Sequence, residues 1–318
     1  MEVIEHTIEF NMKEPTVVTI GKFDGFHKGH EKILNMLLKI QKEKKLKSVV
    51  FTFSAPPSLV FGDHKQKVLT TNDEKRLMFE RMGVDYLVEF PFNERTAAIS
   101  AENFIEDILL KKLQMKAIVV GTDCRFGHRG SGNVALLSEY AEEKQFECHV
   151  IKKERYNHKE ISSSMIRSAI ERGNLLFANE LLVYPYTIYG EVVHGRKLGR
   201  TLGMPTVNQI PEEQKLLPPR GVYYSSVVCR GIRYDGITNI GCKPTVNGDI
   251  MNGVETYIYE FKNNIYGDYI TISLLQFKRP EMKFPSVEAL KIQMQTDIAE
   301  GFEWHAEFGR PVFEKKFL

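Results

Sequence analysis

Two histidines lie three residues apart in the glycine-containing segment GKFDGFHKGH, from Gly21 to His30. His27 and His30 can converge on one phosphate group and stabilise the charge that develops there during group transfer. Gly25 and Gly29 let the backbone bend sharply and approach a ligand closely. Zinc is disfavoured, because the pair lacks the glutamate of HExxH and a third ligand nearby. Spacing alone also leaves open an ordinary glycine turn with two surface histidines.

A second group of polar residues lies in and beyond the segment LGRTLGMPTVN. Thr206 and Asn208 offer neutral oxygens two residues apart on one strand face, which suits Mg²⁺ bound together with nucleotide phosphates. Glu255 falls within the strand pattern VETYIYEF and could accept a proton from a substrate hydroxyl as a general base. The alternatives are a turn followed by the start of a strand, and a glutamate that faces solvent.

Three consecutive serines, residues 162–164, precede a helical pattern, and Arg167 lies one turn further along. Hydroxyl and amide groups at a helix N-terminus bind phosphate, and Arg167 can reach the same anion. An ordinary serine cap followed by a solvated arginine is the alternative.

The secondary-structure patterns that position these residues differ between the first and second parts of the chain. Strand patterns at 16–20, 48–53, 84–90 and up to Gly121 alternate with helical patterns at 31–40, 73–82 and 100–113. This alternation predicts a parallel, doubly wound sheet that is covered by helices on both faces.

After Pro185 the chain becomes rich in strand patterns separated by turn residues, namely YTIYGEVV, GVYYSSVVC, YDGITNI, VETYIYEF and YITISLLQF. This pattern predicts a small antiparallel barrel. A helical pattern at 287–298 places Leu290, Met294 and Ile298 on one face, so we expect this helix to pack on the barrel. The 318 residues therefore divide into two predicted domains, 1–184 and 185–318, each long enough to bury a core.

Composition excludes several classes of protein. With 43 Lys and Arg against 41 Asp and Glu, the net charge of +2 is too small for a protein whose main partner is a nucleic-acid backbone. The N-terminus lacks the positive charge of a signal peptide, and no stretch of about 18 apolar residues occurs, so we expect no membrane partner and a cytoplasmic location. Four scattered cysteines without a CxxC pair predict reduced thiols.

The motifs resemble those of a known family. GxFDGxHxGH resembles the HxGH nucleotidyltransferase signature in the form used by bacterial FAD synthetases, GTDCRFG at 121–127 is similar to their flavin-side segment, and ISSSMIR at 161–167 resembles their ISSTxxR motif. The segments HGRKLGRTLGMPTVN, PPRGVYYSSV, NIGCKPTV, VETYIY and FKRPEMKFPSVEAL resemble consecutive parts of the riboflavin kinase barrel. The resemblance is to the prokaryotic bifunctional riboflavin kinase/FAD synthetase family, and it spans nearly the whole chain.

The resemblance implies an N-terminal Rossmann-like nucleotidyltransferase domain, which transfers an adenylyl group from ATP to FMN, and a C-terminal barrel with a packed terminal helix, which phosphorylates riboflavin. It implies Mg²⁺, ATP as co-substrate, and FMN and FAD as substrate and product. The catalytic residues that it implies are His27, His30, Arg167 and Glu255. The implied ATP-binding residues are Gly21, Phe23, Gly25, Gly29, Ser162, Ser163, Ser164, Gly195, Leu198, Gly199 and Gly203. Asp123, Arg125, Phe126 and Arg279 would contact flavin, and Thr206 and Asn208 would bind Mg²⁺.

The sequence departs from the family pattern at a few positions. Pro56 stands where a histidine is common, Ser58 replaces a frequently basic residue, Cys124 stands where phenylalanine is usual, and Met204 replaces a common phenylalanine. We expect the changes at Pro56, Ser58 and Cys124 to alter flavin and phosphate binding and to leave adenylyl transfer intact, and we expect Met204 to be a tolerated apolar replacement. An aromatic residue at a strand end, such as Phe126, is also often an ordinary core residue.

Three other functions remain open at this stage. The first is an FAD synthetase whose barrel only binds flavin, which the complete PTVN segment and Glu255 disfavour. The second is a flavin-binding regulator without turnover. The third is a nucleotidyltransferase acting on pantetheine phosphate or nicotinamide mononucleotide, which would not explain the attached barrel.

Overall fold

A computed structural model of the chain describes residues 1–54, 67–195, 198–244 and 250–308. The chain forms two compact units, Met1–Ser162 and Ser163–Leu318. The two departures at Pro56 and Ser58 lie outside the described residues. The boundary after residue 184 that the sequence predicts for the two activities stays a prediction.

The first unit is built on a six-stranded parallel sheet, as the alternation of strand and helix patterns predicts. Its strands are β1 (Glu2–Glu5), β2 (Thr16–Ile20), β3 (Lys47–Phe53), β4 (Tyr86–Phe90), β5 (Met115–Gly121) and β6 (Glu147–Ile151), in the order β1-β4-β3-β2-β5-β6. β2 and β3 are apolar on both faces, and most of their side chains are buried. Strands that are buried on both faces read as continuous apolar runs, which is why the sequence reveals them. β1 and β6 are half exposed and escaped the sequence analysis.

Among the described residues, five α-helices accompany this sheet: α1 (Lys28–Lys44), α2 (Asn72–Met82), α3 (Glu94–Ala97), α4 (Ala101–Asn103) and α5 (Val134–Lys144). α2 begins with a capping box between Thr71 and Glu74 and ends at Gly83, whose φ of 82° only glycine adopts easily. These local signals fix where the helix starts and stops.

The helical pattern at 100–113 differs from the expected single α-helix. α4 continues as a π-helix, Phe104–Lys112, in which the Leu113 N–H donates to the Ile108 carbonyl, 2.9 Å away. The buried residues Phe104, Ile105, Ile108 and Leu109 are spaced as they would be in an amphipathic α-helix. Hydrophobic spacing therefore predicts a helix here without distinguishing the two forms.

A short hairpin, β7 (Arg155–Tyr156) and β8 (Lys159–Glu160), closes the first unit just before Ser162. Its two turn residues, Asn157 and His158, both have positive φ, as a type I′ turn requires.

The second unit begins with two helices, α6 (Ser163–Glu171) and α7 (Leu175–Leu181), and continues as the predicted antiparallel barrel. The barrel strands are β9 (Thr187–Glu191), β10 (Val207–Gln209), β11 (Gly221–Cys229), β12 (Ile232–Pro244), β13 (Ile250–Ile258) and β14 (Tyr269–Pro280), in the order β10-β13-β12-β11-β14-β9. The remaining helices are α8 (Leu198–Thr201) and α9 (Val287–Phe308). The edge strands meet at Val193, whose N–H donates to the Asn208 carbonyl at 2.8 Å.

Three hydroxyl groups on neighbouring strands form a hydrogen-bonded row on the buried face of the barrel. The Thr238 hydroxyl lies 2.7 Å from the Ser225 oxygen and 2.8 Å from the Thr256 oxygen, and all three residues are buried. Each hydroxyl therefore has a partner, so these polar groups are buried without an unsatisfied hydrogen bond.

The terminal helix α9 packs against β12, as expected, but it is ten residues longer than the pattern predicts. Its most buried positions are Asp297, Gly301 and His305, while Leu290, Met294 and Ile298 are half-buried. The hydrophobic pattern missed this part of the face because polar and small residues occupy it. No helix among the described residues is both long and apolar enough to cross a membrane.

Candidate active sites

The histidine segment forms the connection between the carboxyl end of β2 and the start of α1. Asp24 Oδ1 accepts hydrogen bonds from the N–H groups of Leu69, at 2.7 Å, and Thr70, at 3.0 Å. The Gly25 N–H donates in return to the Thr70 hydroxyl, at 2.9 Å. These bonds fix the loop against the chain that leads into α2.

Gly25 meets two requirements that exclude other residues. Its φ is +66°, and a Cβ placed on it would lie 2.5 Å from Leu69 Cδ1. Phe23, in the same loop, has a φ of 48° despite its bulky side chain and is almost fully buried. Backbone strain of this kind is maintained by the surrounding structure and is concentrated at functional sites.

The two histidines are stacked, with their ring centroids 3.7 Å apart and their planes inclined by 17°. His27 is the N-cap of α1, and its Nδ1 accepts hydrogen bonds from the N–H groups of Gly29 and His30. Nδ1 is therefore unprotonated, and Nε2 carries the proton. The rings of Phe23 and Phe26 lie 5.1 and 6.2 Å from the His30 ring, so His30 lies among three rings.

Both imidazoles are neutral in the folded protein at pH 7. Burial lowers the pKa of His27 to about 4, with Asp123 opposing the effect. Burial also lowers the pKa of His30 well below its usual value, and the neighbouring His27 contributes. His30 Nδ1 is buried and has no hydrogen-bond partner within the part of the chain that is described. A backbone hydrogen bond to Gly25 engages His30. His27 can therefore donate a hydrogen bond from Nε2 to a phosphate, but the pair adds no net charge in the free protein.

A chain of charged side chains borders the histidines beyond β5. Lys153 lies 3.0 Å from the Asp123 carboxylate and 3.2 Å from that of Glu160. Asp123 and Lys153 act electrostatically on His27 in opposite directions, which places both near its ring. Sequence analysis missed Lys153 because it belongs to no recognised motif.

The other residues predicted on the flavin side differ in exposure. Arg125 is exposed, whereas Phe126 is buried in the core of the first unit, with its ring 5.6 Å from that of Phe104. Cys124 packs against the same core, and burial raises the pKa of its thiol to about 12. The Cys124 thiol is therefore protonated and unreactive at neutral pH.

The predicted ATP-phosphate motif spans the boundary between the two units. Ser162 ends the first unit, while Ser163, Ser164 and Arg167 lie in the first two turns of α6 in the second unit. The serines thus lie at a helix N-terminus, as expected. The approach of this motif to the histidines stays a prediction.

In the second unit, the register of the barrel brings predicted site residues together. Asn208 on β10 is directly opposite Glu255 on β13, and Glu255 is also directly opposite Asn239 on β12. Directly opposite side chains project from the same face, about 5 Å apart. Val254 and Thr256 are fully buried on the other face of β13, so Glu255 points away from that buried layer.

The glycines of the preceding loop lie close to these residues. A Cβ on Gly195 would lie 2.5 Å from Asn208 Oδ1, and one on Gly199 would lie 2.5 Å from the Met204 carbonyl and 3.4 Å from Thr206 Oγ1. Gly203 has a φ of +81°, a backbone conformation that residues with a side chain rarely adopt, so glycine is favoured at this position. Leu198 starts α8, and Met204 is buried. Gly195 and Gly199 are therefore packed closely against the predicted Mg²⁺ ligands Asn208 and Thr206.

Arg279 takes part in a buried ion pair. Its guanidinium donates to both carboxylate oxygens of Asp297, with Nε at 3.0 and 3.1 Å, and Lys278 lies 3.4 Å from the same carboxylate. These contacts attach α9 to β14. Sequence analysis missed Asp297 because its partners are distant in the chain, and a role for Arg279 in flavin binding stays a prediction.

The donor set of the barrel site fits magnesium. Thr206 and Asn208 offer neutral oxygens, Glu255 offers a carboxylate nearby, and Mg²⁺ prefers oxygen ligands. Within the described ranges, no group of three or more His, Cys, Asp or Glu side chains is arranged to hold a metal ion.

Comparison with known families matches two successive parts of the chain. Residues 9–165 match the FAD synthetase family, and residues 182–305 match the riboflavin kinase family.

Curated relatives match over both parts. The bifunctional riboflavin kinase/FMN adenylyltransferase of Listeria monocytogenes is 36% identical over 283 residues, covering 88% of this chain and 90% of its own. The protein of the same description from Escherichia coli strain K12 is 36% identical over 294 residues, covering 92% and 93%. That from Bacillus subtilis strain 168 is 34% identical and covers 91% and 92%.

Among solved structures, the chain is similar to one described as a macrolide-efflux protein from Streptococcus pneumoniae. The TM-score is 0.81 at 29% identity, with 95% of this chain and 98% of the other covered. The two proteins therefore share their fold over nearly their whole length.

Proposed function

The chain belongs to the family of bifunctional riboflavin kinase/FMN adenylyltransferases, and from this premise we propose which of its residues carry out the two reactions. The enzyme is a transferase that phosphorylates riboflavin to FMN and adenylylates FMN to FAD. One observation supports the residue assignment: each motif lies where the backbone is closely packed. The histidine motif forms a stacked pair after β2, and the glycines of the second motif pack against residues beside Glu255.

In adenylyl transfer, an oxygen of the FMN phosphate attacks the α-phosphorus of ATP. A new P–O bond forms, the bond to the β-phosphate oxygen breaks, and pyrophosphate leaves with the electron pair. The nucleophile is already an anion, so the site must position the phosphates and stabilise charge rather than remove a proton. His27 donates from Nε2 to the transferred phosphate, and His30 lies next to it.

The ATP is held by backbone and side-chain donors around the histidines. Gly21, Phe23, Gly25 and Gly29 let the N-terminus of α1 approach the phosphates, which its N–H groups favour. Ser162, Ser163, Ser164 and Arg167 bind the ATP phosphates. Asp123, Arg125 and the edge of Phe126 are proposed to contact the flavin.

In riboflavin phosphorylation, Glu255 accepts the proton of the ribityl hydroxyl while that oxygen attacks the γ-phosphorus of ATP. The bond from the γ-phosphorus to the oxygen that bridges it to the β-phosphorus breaks, and ADP leaves with the electron pair. Thr206 and Asn208 are proposed to bind Mg²⁺, which when bound neutralises phosphate charge. The loop from Gly195 through Leu198 and Gly199 to Gly203 covers the ATP phosphates, and Arg279 shapes the flavin pocket.

The substrates are riboflavin, FMN and ATP, with no nucleic-acid partner proposed. Both reactions consume ATP, which supports a cytoplasmic location. We propose that residues 1–184 serve adenylyl transfer and residues 185–318 serve the kinase reaction.

The test is to incubate the purified chain with riboflavin, ATP and Mg²⁺, and separately with FMN, ATP and Mg²⁺, and to separate the flavins by chromatography. We expect FMN and FAD in the first reaction and FAD in the second. If FAD forms only when FMN is supplied, the kinase assignment is wrong. No FAD in either reaction, also with reduced flavin, would remove the transferase assignment.

A further inference from the structure

Lys75, in the first turns of α2, is only 5% exposed, although lysine side chains usually keep their ammonium group in water. The ammonium lies 3.4 Å from Asn72 Oδ1, and the Asn72 side-chain amide donates to the Ser54 carbonyl at 2.8 Å. Ser54 directly follows β3. The positive charge is therefore held near the carboxyl end of a central strand of the parallel sheet.

The same helix face packs on the histidine loop. Phe79 lies four residues after Lys75 and is a neighbour on the helix surface. The Phe79 ring meets that of Phe23 edge to face, 5.3 Å away, and the Phe23 ring lies 5.1 Å from that of His30. The charge of Lys75 contributes to the lowered pKa of His30, as a nearby cation does.

Sheet order places Lys75 on one side of the histidines and Asp123 on the other. β2, which leads into the histidine loop, lies between β3 and β5. Asp123 follows β5, whereas Asn72 and Lys75 are bound beside the end of β3. Ligands of open parallel sheets bind beyond the carboxyl ends of the strands, so both residues border the place that a ligand would occupy.

The charge balance of the site explains what a buried cation does there. His27 and His30 are neutral, the N-terminus of α1 contributes only a partial positive charge, and Lys153 is paired with the carboxylates of Asp123 and Glu160. Adenylyl transfer brings two phosphate-bearing substrates to this point, and hydrogen bonds from a charged donor to phosphate are about twice as strong as neutral ones.

We propose that Lys75 is a phosphate-binding residue of the adenylyl-transfer site, whose ammonium binds oxygens of the FMN phosphate or of the ATP phosphates beside His30. This inference rests on the proposed function of the first unit.

Three variants of the full chain test the proposal: Lys75→Met, Lys75→Arg and the control Lys215→Met. Lys215 is the matched control because it is 4% exposed and packs over the Tyr186 ring, 4.4 Å away, in the second unit. The measurements are kcat and KM of FAD formation, varying FMN and ATP in turn, together with the riboflavin kinase rate of each variant.

We expect Lys75→Met to raise the KM for one substrate roughly 10- to 100-fold, since it removes one charge-assisted contact. A rise for FMN assigns the contact to the FMN phosphate, and a rise for ATP assigns it to the ATP phosphates. Lys75→Arg should recover part of the loss, and the kinase rate should stay unchanged. Lys215→Met should leave FAD formation unchanged.

The proposal is overturned if Lys75→Met stays within twofold of the wild type for both substrates. It is also overturned if Lys75→Arg loses as much activity as Lys75→Met while both melt early, because the role is then structural. If Lys75→Met does not fold, Lys75→Gln removes the charge while keeping a hydrogen-bonding side chain beside Asn72. If the wild type makes no FAD, the proposed function fails, and calorimetric binding of FMN and ATP to wild type and variant still decides the role of Lys75.

Discussion

Asn208 and Glu255 are directly opposite residues on antiparallel strands, so the predicted Mg²⁺ ligand and the predicted base project from one face of the barrel. Asn239 flanks Glu255 on the other side. The positions of the proposed proton acceptor and the proposed Mg²⁺ ligand are thus fixed by strand register. A substitution of either side chain should change the chemistry while leaving the backbone pairing intact.

Glu255→Gln should lower the rate of FMN formation from riboflavin by about 10²- to 10⁴-fold, because the amide cannot accept the hydroxyl proton. FAD formation from supplied FMN should be unchanged, and chromatography of both reactions measures this. Glu288→Gln, at an exposed position in the first turn of α9, is the control. A kinase rate within a few-fold of the wild type would exclude Glu255 as the base.

Asn208→Ala should raise the Mg²⁺ concentration for half-maximal kinase activity by about tenfold, since one oxygen ligand is lost. Asn208→Asp keeps a ligand oxygen and should be less impaired. A magnesium titration of the kinase rate checks this, and an unchanged half-saturation point in Asn208→Ala would contradict the assignment.

His27→Asn should lower FAD formation without unfolding the first unit. Asparagine is a good N-cap and can accept the hydrogen bonds that His27 Nδ1 now accepts, but it loses the Nε2–H donor. Initial rates and melting curves of this variant and of His27→Ala separate the two roles. We expect only the alanine variant to lose roughly 1 kcal/mol of helix-capping energy. Equal stability losses in both variants would argue against the capping role.

Stability of the first unit should fall on acidification. Between pH 6.5 and about 4, the unfolded chain binds a proton at His27 that the folded chain does not, because burial lowers the folded pKa to about 4. The free energy of unfolding therefore decreases as the pH falls through this window, by up to about 3 kcal/mol from His27 alone.

Urea unfolding at pH 7 and pH 5 measures the effect. Far-UV circular dichroism follows the whole chain, and the single tryptophan, Trp304, reports separately on the second unit. His27→Asn should show a smaller shift between the two pH values. An equal shift in variant and wild type would assign the acid sensitivity to other groups.

Gly25→Ala should destabilise the first unit by roughly 2–5 kcal/mol and abolish FAD formation. The left-handed conformation costs roughly 1–2 kcal/mol, and overlap with Leu69 adds roughly 1–3. Gly83→Ala is the matched control, because Gly83 also has positive φ but a Cβ there would meet nothing within 4 Å. Urea unfolding measures the free energy of unfolding of both variants. If it falls equally in the two, the positive φ accounts for the whole loss and the overlap with Leu69 adds nothing.

Asp297→Ala should destabilise the second unit by roughly 3 kcal/mol, because Arg279 loses its carboxylate partner, whereas Lys278 keeps its ion pair with Glu300. Trp304 lies in α9 and stacks on Tyr224, so its fluorescence follows the detachment of this helix. Glu303→Ala, at an exposed position on α9, should change the unfolding midpoint little. If Asp297→Ala leaves the unfolding midpoint unchanged, the ion pair does not contribute to holding α9 on the barrel.

The sequence predicts the elements that bury continuous apolar surface, and it contains the motifs proposed to bind phosphate. It does not predict β1, β6 or α5, whose patterns are weaker because their residues are partly exposed. It predicts that α9 packs on the barrel but places its end ten residues early, because Asp297, Gly301 and His305 interrupt the apolar pattern.

Within the sites, the sequence identifies residues that belong to motifs and misses those brought in by packing. Lys153 and Lys75 approach the histidines from after β6 and from α2, and Asn239 reaches Glu255 only through strand register. The local sequence around these three residues does not predict that they lie in a site, because the site residues that they approach are distant in the chain.

The hydrogen bond between Val193 and the Asn208 carbonyl joins the two edges of the barrel at the residue proposed to bind Mg²⁺. A ligand that restrains Asn208 in the folded state therefore also restrains the closure of the barrel. By mass action, nucleotide binding and unfolding of the second unit are linked, and each tenfold rise in nucleotide above its Kd adds about 1.4 kcal/mol to the free energy of unfolding. We therefore expect ATP to act as a folding ligand for this unit as well as a substrate.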